Sequence, residues 1–102
     1  MDRFLPSLSC GLFQLIRSSG GGVPVKVMRS DIDYNKHLNN ANYVRMAMEL
    51  LPEDFEIKGL RVEYRVAAKL GDMLVPTIYK HDGVIIVCLS IGEDVSAIIE
   101  FS

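Results

Sequence analysis

One segment of the chain is predicted to form a helix that is apolar on nearly every side, and this helix constrains the fold more than any other feature. Apolar side chains recur at helical spacing over residues 40–51 and leave only a narrow polar edge. Asn39 or Asn40 can cap the start of this helix, and Pro52 ends it. A helix with so little polar surface has to be wrapped on most sides by the rest of the chain.

Segments with strand-like alternation lie on both sides of this helix and can supply the wrapping. One strand is predicted before it, over residues 23–28, with Pro24 near its start. Four strands are predicted after it, over residues 60–66, 73–80, 84–91 and 95–101. Tight turns at residues 81–83 and 92–94 join the last three strands as an antiparallel meander. The predicted fold class is α+β, with a curved antiparallel sheet wrapped around one central helix.

Residues 31–43, which run into the first turn of the helix, hold the densest set of polar and titratable groups. They read Asp-Ile-Asp-Tyr-Asn-Lys-His-Leu-Asn-Asn-Ala-Asn-Tyr. Asp33, Asn35 and His37 are spaced two residues apart, so their side chains leave an extended or looping backbone on the same face and can form one site. The alternative is structural, because Asp and Asn also satisfy their own backbone in loops, and the asparagines before the helix can serve only as caps.

This stretch resembles the signature of the acyl-acyl carrier protein thioesterases of the hotdog superfamily, which run Asp-x-Asn-x-His and then Asn-Asn-x-x-Tyr at the start of a long central helix. The matching residues here are Asp33, Asn35, His37, Asn39, Asn40 and Tyr43. Residues 63–65 and 69–72 are also similar to the family, and the order of elements agrees from about residue 25 to about residue 100. Related acyl-CoA thioesterases carry a similar motif in the same place, so coenzyme A is the alternative carrier.

The resemblance implies a hotdog fold and an enzyme of lipid metabolism and fatty acid biosynthesis, which hydrolyses fatty acyl-acyl carrier protein to free fatty acid and carrier protein. It implies that Asp33 acts as base or nucleophile, that His37 moves protons, and that Asn35 orients water or the thioester carbonyl. Backbone N–H groups at the start of the helix would hold the oxyanion. The residues expected to bind substrate are Asn39, Asn40 and Tyr43. No cofactor and no metal is expected, since hydrolysis in this class needs none.

The chain departs from the family at two neighbouring positions. Plant-type members carry a Glu-Cys pair after the Glu-Tyr-Arg strand, where this chain has Ala67-Ala68. Glu63 is no obvious substitute, because four residues at roughly 3.3 Å each place it about 13 Å away along a strand, and neither is Glu49. A mechanism that relies on the missing glutamate is expected to fail here, whereas one built on Asp33 and a bound water can operate.

A second departure concerns the number of repeats. The plant enzymes and many bacterial relatives have two hotdog repeats, and this chain is similar only to the second, which bears the motif. A single hotdog leaves one sheet edge uncovered and one pocket wall incomplete. A homodimer or a larger assembly is therefore expected.

Composition narrows the remaining possibilities. With 49% hydrophobic and 24% charged residues, the 102-residue chain is typical of one small globular domain, and its net charge of −2 gives no basis for nucleic-acid binding. Cys10 and Cys88 match neither a disulfide framework nor a metal site, which favours a reducing compartment such as the cytoplasm. His81, beside a tight turn, is expected to be a solvated turn residue.

The predicted domain spans residues 23–102, and residues 1–22 are predicted to be a flexible arm that ends in a Gly-rich linker. The apolar run within residues 1–16 is broken by Pro6, Gly11 and Gln14 and is shorter than the roughly 20 residues of a membrane span. No association with a membrane is expected.

Two other hypotheses stay open beside the enzyme. The chain can be a binding module that keeps an acyl pocket without turnover, which Ala67 and Ala68 favour, and such a module would act as a sensor, a carrier or the partner of an active repeat. It can also be the orphaned half of a double-hotdog protein that binds no ligand. Saturable acyl binding separates the last two hypotheses, and hydrolysis separates both from the first.

Overall fold

The computed structural model describes residues 18–32 and 37–102, and within these ranges one α-helix lies against an antiparallel sheet. The elements in chain order are β1 (Ser18–Gly21), β2 (Val25–Lys26), a 3₁₀ turn (Arg29–Asp31), α1 (Asn40–Met48), β3 (Leu60–Tyr64), β4 (Met73–His81), β5 (Val84–Ile91) and β6 (Asp94–Phe101). The strand order is β1-β4-β5-β6-β3, and β2 also pairs with β4. The predicted α+β class, with a single central helix, is confirmed.

Helix α1 begins next to the predicted cap, but it ends before the last residue of the apolar pattern in the sequence. Asn39 is the cap, because its Oδ1 accepts the N–H of Ala41 at 2.9 Å. The helix was expected to reach residue 51 but ends at Met48. The N–H of Leu50 donates to the carbonyl of Ala47 at 3.0 Å, so the backbone tightens to 3₁₀-type bonds before Pro52.

The core lies between α1 and one face of the sheet. Tyr43, Met46 and Ala47 of the helix are buried there. They belong to one apolar cluster with alternate residues of the meander, namely Ile85, Val87, Leu89, Ala97, Ile99 and Phe101. The hairpin between β4 and β5 turns on Asp82 and Gly83, whose φ angles of 51° and 79° suit a two-residue turn of type I′. Period-two alternation and this turn fix the register that buries the core.

Strand β1 corrects the expectation of a linker at residues 18–22. Ser18–Gly21 pairs antiparallel with β4, and the N–H of Gly22 donates to the carbonyl of Pro76 at 3.3 Å. A Cβ on Gly22 would lie 2.9 Å from Cδ2 of Leu50, so a larger residue here would require the Leu50 side chain to shift. Residues 1–17, predicted to form the rest of the arm, lie outside the described residues.

The strand predicted over residues 23–28 is shorter in the structure. Only Val25–Lys26 pairs with β4, opposite Leu74 and Met73. Val27 then enters the core, and its N–H donates to the carbonyl of Asp72 at 2.9 Å. No helix among the described residues has the length and hydropathy to cross a membrane.

Candidate functional site

A cavity of about 150 Å³ lies at the N-terminal end of α1. Its walls come from residues 37–38, the first turn of α1, residues 64–67 at the end of β3 and just after it, and the start of β6. The lining residues are His37, Leu38, Asn40, Tyr43, Tyr64, Arg65, Val66, Ala67 and Ser96. The structure therefore brings three of the predicted site residues, His37, Asn40 and Tyr43, to one place, together with Ala67.

Backbone hydrogen bonds hold His37 beside the segment that contains Ala67. His37 and Lys69 form an antiparallel bridge, and so do Ile32 and Leu38. The N–H of Leu38 donates to the carbonyl of Ala68 at 2.9 Å. Residues far apart in the sequence thus become neighbours through the backbone. Asp33 and Asn35 lie outside the described residues, so their roles stay predictions.

Asp31 is a buried carboxylate to which the sequence assigned no role. Its Oδ2 accepts the N–H of Met28 at 2.9 Å, and its Oδ1 lies 3.2 Å from Nη2 of Arg45. The side-chain amide of Asn42 donates to the carbonyl of Asp31 at 3.0 Å, and the N–H of Asn39 donates to the same oxygen at 2.9 Å. Asp31 therefore connects the 3₁₀ turn to α1. Asp33 and Asn35 lie between these two elements in the sequence. Nothing in the sequence distinguishes this aspartate from Asp33 except its place in the motif.

Tyr43 and Ser96 form a buried hydrogen-bonded pair at the inner wall of the cavity. The two hydroxyl oxygens are 2.8 Å apart. The N–H of Ala68 donates to the Tyr43 hydroxyl at 2.9 Å, and the Ser96 hydroxyl donates to the carbonyl of Val66 at 2.6 Å. The Tyr43 hydroxyl is thus engaged by protein groups, while the residue lines the cavity. Sequence reasoning missed Ser96 because a serine within an alternating strand gives no signal of its own.

Tyr64 closes the outer side of the cavity. Its ring meets the ring of Tyr43 edge to face, with centroids 5.5 Å apart and an interplanar angle of 62°. Its hydroxyl donates to the carbonyl of Asn40 at 3.2 Å. Burial, and then the neighbouring Tyr43, raise the pKa of the Tyr64 hydroxyl above its ordinary value. A tyrosine hydroxyl is protonated near neutral pH even without this shift, so Tyr64 donates there to the carbonyl of the first residue of the helix.

No carboxylate among the described residues lines the cavity. Glu63 pairs with Ile98 on the sheet face opposite the core, and its Oε2 accepts from Nε of Arg65 at 2.6 Å. Glu49 lies at the other end of α1, where it is the exposed C-cap. Ala67, which stands where plant-type relatives carry glutamate, is exposed in the cavity wall. Nor do any three His, Cys, Asp or Glu side chains of the described ranges come together as a metal site.

Comparison with solved structures identifies the fold as the hotdog fold. A probable thioesterase from Escherichia coli, YbaW, is similar with a TM-score of 0.69 and 21% identity, over 80% of this chain and 78% of that one. The hypothetical protein SAV2348 from Staphylococcus aureus, solved in complex with CoA, gives 0.73 and 17%, over 85% and 74%. A probable thioesterase from Bartonella henselae gives 0.65 and 14%, over 78% and 83%.

Comparison by sequence identifies the family. No curated protein sequence matches the chain. Residues 21–94 match the family model described as the acyl-ACP thioesterase C-terminal domain. This match covers more than half of the chain. It includes the motif at residues 31–43, helix α1 and strands β2 to β5. The chain therefore belongs to the acyl-ACP thioesterase C-terminal domain family, whose hotdog fold it has.

Proposed function

We propose that this protein hydrolyses fatty acyl thioesters of acyl carrier protein to the free fatty acid and the carrier protein. The observation that carries the proposal is the convergence of His37 and the N-terminal end of α1 on one cavity, in a chain of this family. The N–H of Ala41 is bonded to the Asn39 cap, and the N–H of Asn42 donates to the carbonyl of Asn39. The N–H of Asn40 makes no hydrogen bond within the described ranges, so it is the donor that we assign to the oxyanion.

The proposed reaction uses one carboxylate and one imidazole. Asp33 takes a proton from a water molecule that Asn35 orients, and the resulting oxygen nucleophile attacks the thioester carbonyl. The N–H of Asn40 stabilises the negative charge on the carbonyl oxygen. The C–S bond then breaks, and His37 delivers a proton to the departing thiolate. This route needs no glutamate at position 67. In an alternative route Asp33 itself attacks the carbonyl, the C–S bond breaks and His37 protonates the departing thiolate, and a water molecule then hydrolyses the mixed anhydride to free fatty acid and the Asp33 carboxylate.

The proposal is tested by the release of free thiol from a medium-chain acyl-acyl carrier protein. We expect the parent protein to hydrolyse this substrate and Asp33→Ala to lose hydrolysis while its circular dichroism spectrum is unchanged. The matched control is Asp54→Ala, which removes an exposed aspartate from the turn after α1 and is expected to keep the parent rate. The acyl-CoA of the same chain length is assayed in parallel, and faster hydrolysis of the CoA ester would reassign the carrier.

A second candidate function is acyl-thioester binding without turnover. Ala67 and Ala68 favour it, together with the lack of a carboxylate among the described lining residues. The same assay decides between the two functions. If the folded parent protein releases no thiol from either ester but binds a non-hydrolysable acyl-pantetheine analogue saturably, the enzyme proposal is wrong and the binding module remains.

We also propose that a second copy of the chain pairs along β3 and completes the acyl site. Within the described residues β3 pairs only with β6, so its other edge is open. Leu60 and Tyr64 lie on the core side of this edge strand, yet they are 52% and 42% exposed. Exposed apolar side chains beside an open edge and a cavity are typical of a surface that a symmetric partner covers.

The pairing proposal predicts a particle of about twice the 11.4 kDa mass of one chain. Leu60→Lys is expected to shift this mass toward the monomer in light scattering coupled to size-exclusion chromatography, because a lysine on an open edge opposes strand pairing. Val75→Lys is the matched control, since Val75 is similarly exposed on β4, away from that edge. A parent protein that is monomeric at assay concentration, or equal shifts in both variants, would contradict the proposal.

A further inference from the structure

Ser96 owes its position to an irregularity in the sheet. Leu89 of β5 pairs with Ala97 of β6, and Ser90 pairs with Val95, so Ser96 is the extra residue of a β-bulge. Its side chain reaches Tyr43 on the core side of the sheet, where the residue is only 1% exposed. A buried hydroxyl lowers stability unless it is hydrogen bonded, and here two partners satisfy it. The bulge therefore places the Ser96 hydroxyl on the core side of the sheet, where a regular alternation of side chains would not put it.

The protons of this cluster can be arranged in only one way. The carbonyl of Val66 can only accept, so the single proton of Ser96 points toward it. Ser96 must then accept the proton of the Tyr43 hydroxyl, and Tyr43 in turn accepts the N–H of Ala68. Each hydroxyl donates once and accepts once. A buried chain of hydrogen bonds with a single arrangement is rigid and cooperative.

The cluster forms hydrogen bonds with both sequence neighbours of Ala67, and backbone hydrogen bonds connect these residues to the segment of His37. Tyr43 and Ser96 bind the N–H of Ala68 and the carbonyl of Val66, and Ala67 lies between those two residues in the cavity wall. The carbonyl of Ala68 accepts the N–H of Leu38, the residue that follows His37. A continuous series of hydrogen bonds and covalent links thus connects the bulge of β6 to the backbone of His37.

We propose that Tyr43 and Ser96 are positioning residues, which fix the wall at residues 66–68 and thereby set the position of His37 in the cavity. The inference rests on the proposed function, because the position of His37 matters for proton transfer to the leaving thiolate. Neither hydroxyl needs to contact the thioester for this role. A displacement of about 1 Å in a catalytic group can lower a rate by about 100-fold.

The inference is tested with Tyr43→Phe, Ser96→Ala and the double variant, in the full chain. Each single variant is expected to lower kcat about 10- to 100-fold while KM stays within about twofold, because substrate contacts are retained. The double variant is expected to be no slower than the slower single variant, since the two hydroxyls act as one unit. Ser96→Thr keeps the hydroxyl and is expected to restore most of kcat. Ser90→Ala, on the neighbouring strand, is the matched control and should leave kcat unchanged.

Hydrogen exchange at the amide of Leu38 tests the same inference without any substrate. In Tyr43→Phe and Ser96→Ala this amide is expected to exchange at least about tenfold faster than in the parent, relative to the amide of Ile99 at the centre of β6. The comparison with Ile99 removes any change in global stability. Faster exchange at Leu38 supports the positioning role even if the parent protein proves not to hydrolyse thioesters, which would overturn only the proposed function.

Two results would overturn the inference itself. One is an unchanged ratio of Leu38 to Ile99 exchange in both single variants, which would mean that the cluster does not hold the His37 segment. The other is a parent-level kcat per folded molecule in both variants, accompanied only by a lower melting temperature. The hydroxyls would then contribute to stability alone.

Discussion

Replacing His37 with alanine is expected to lower kcat for thioester hydrolysis by about 10²- to 10⁴-fold, the usual contribution of a positioned proton-transfer group. His37 is the one histidine among the described residues that line the cavity. Its side chain is exposed and makes no hydrogen bond to the described part of the chain, so its loss removes little that holds the fold together. The free energy of unfolding should therefore change by less than about 0.5 kcal/mol. Steady-state kinetics and urea unfolding of the same preparations measure the two effects.

His81 provides a matched control for this experiment. It is the last residue of β4, its side chain is 64% exposed, and its Nε2 lies 3.2 Å from Oδ2 of Asp82. His81→Ala removes the same side chain far from the cavity and is expected to keep kcat within about twofold of the parent. A His37→Ala variant that retains the parent kcat would remove His37 from the mechanism. Equal losses in both variants would point to a general effect of removing an imidazole.

The parts of the fold that the sequence predicts well are those whose own side-chain pattern determines them. Strands β4 and β5 match the predicted residues 73–80 and 84–91 almost residue for residue. Period-two alternation defines both strands, and Asp82-Gly83 between them favours a two-residue turn. The start of α1 is equally local, because the cap at Asn39 uses only neighbouring backbone. The resemblance to the family added the hotdog arrangement, which the comparisons confirm.

The parts that the sequence could not predict depend on contacts between distant segments. Ser18–Gly21 has a glycine-rich sequence without alternation, and its strand exists because its backbone pairs with β4. The bulge at Ser96 is a mismatch of register between β5 and β6, so it cannot be recognised within β6 alone. The contact between the His37 segment and residues 67–69 likewise joins two parts of the chain that lie about 30 positions apart.

The candidate site was predicted only as a set of residues, not as a geometry. His37, Asn40 and Tyr43 meet at the cavity, as a shared site requires. Asn39 is engaged as a helix cap, so its expected contact with substrate stays a prediction. The sequence also gave no means of separating the two aspartates of the motif. The structure shows that Asp31 is buried and that protein donors occupy its oxygens.

Replacing Asp31 with alanine is expected to lower the free energy of unfolding by about 2–4 kcal/mol. The Asp31 side chain is 12% exposed and accepts hydrogen bonds from Met28 and Arg45. A hydrogen bond to a charged group contributes about 1.5–3 kcal/mol. The partner side chain of Arg45 is 56% exposed, so solvent screens the ion pair and most of the loss should come from the bond to the Met28 N–H. Urea unfolding followed by circular dichroism measures the change.

Two further variants separate the contributions of this carboxylate. Arg45→Ala removes the screened ion pair and an exposed hydrogen bond from Nε to Oδ1 of Asn42, and it is expected to cost less than about 1 kcal/mol. Asp31→Asn keeps an oxygen that can accept the Met28 N–H but loses the charge, so its stability should fall between those of Arg45→Ala and Asp31→Ala. If Arg45→Ala is as destabilising as Asp31→Ala, the ion pair rather than the backbone bond holds the turn. Because Asp31 joins the two ends of the segment that carries Asp33 and Asn35, Asp31→Ala should also reduce hydrolysis in the fraction that stays folded.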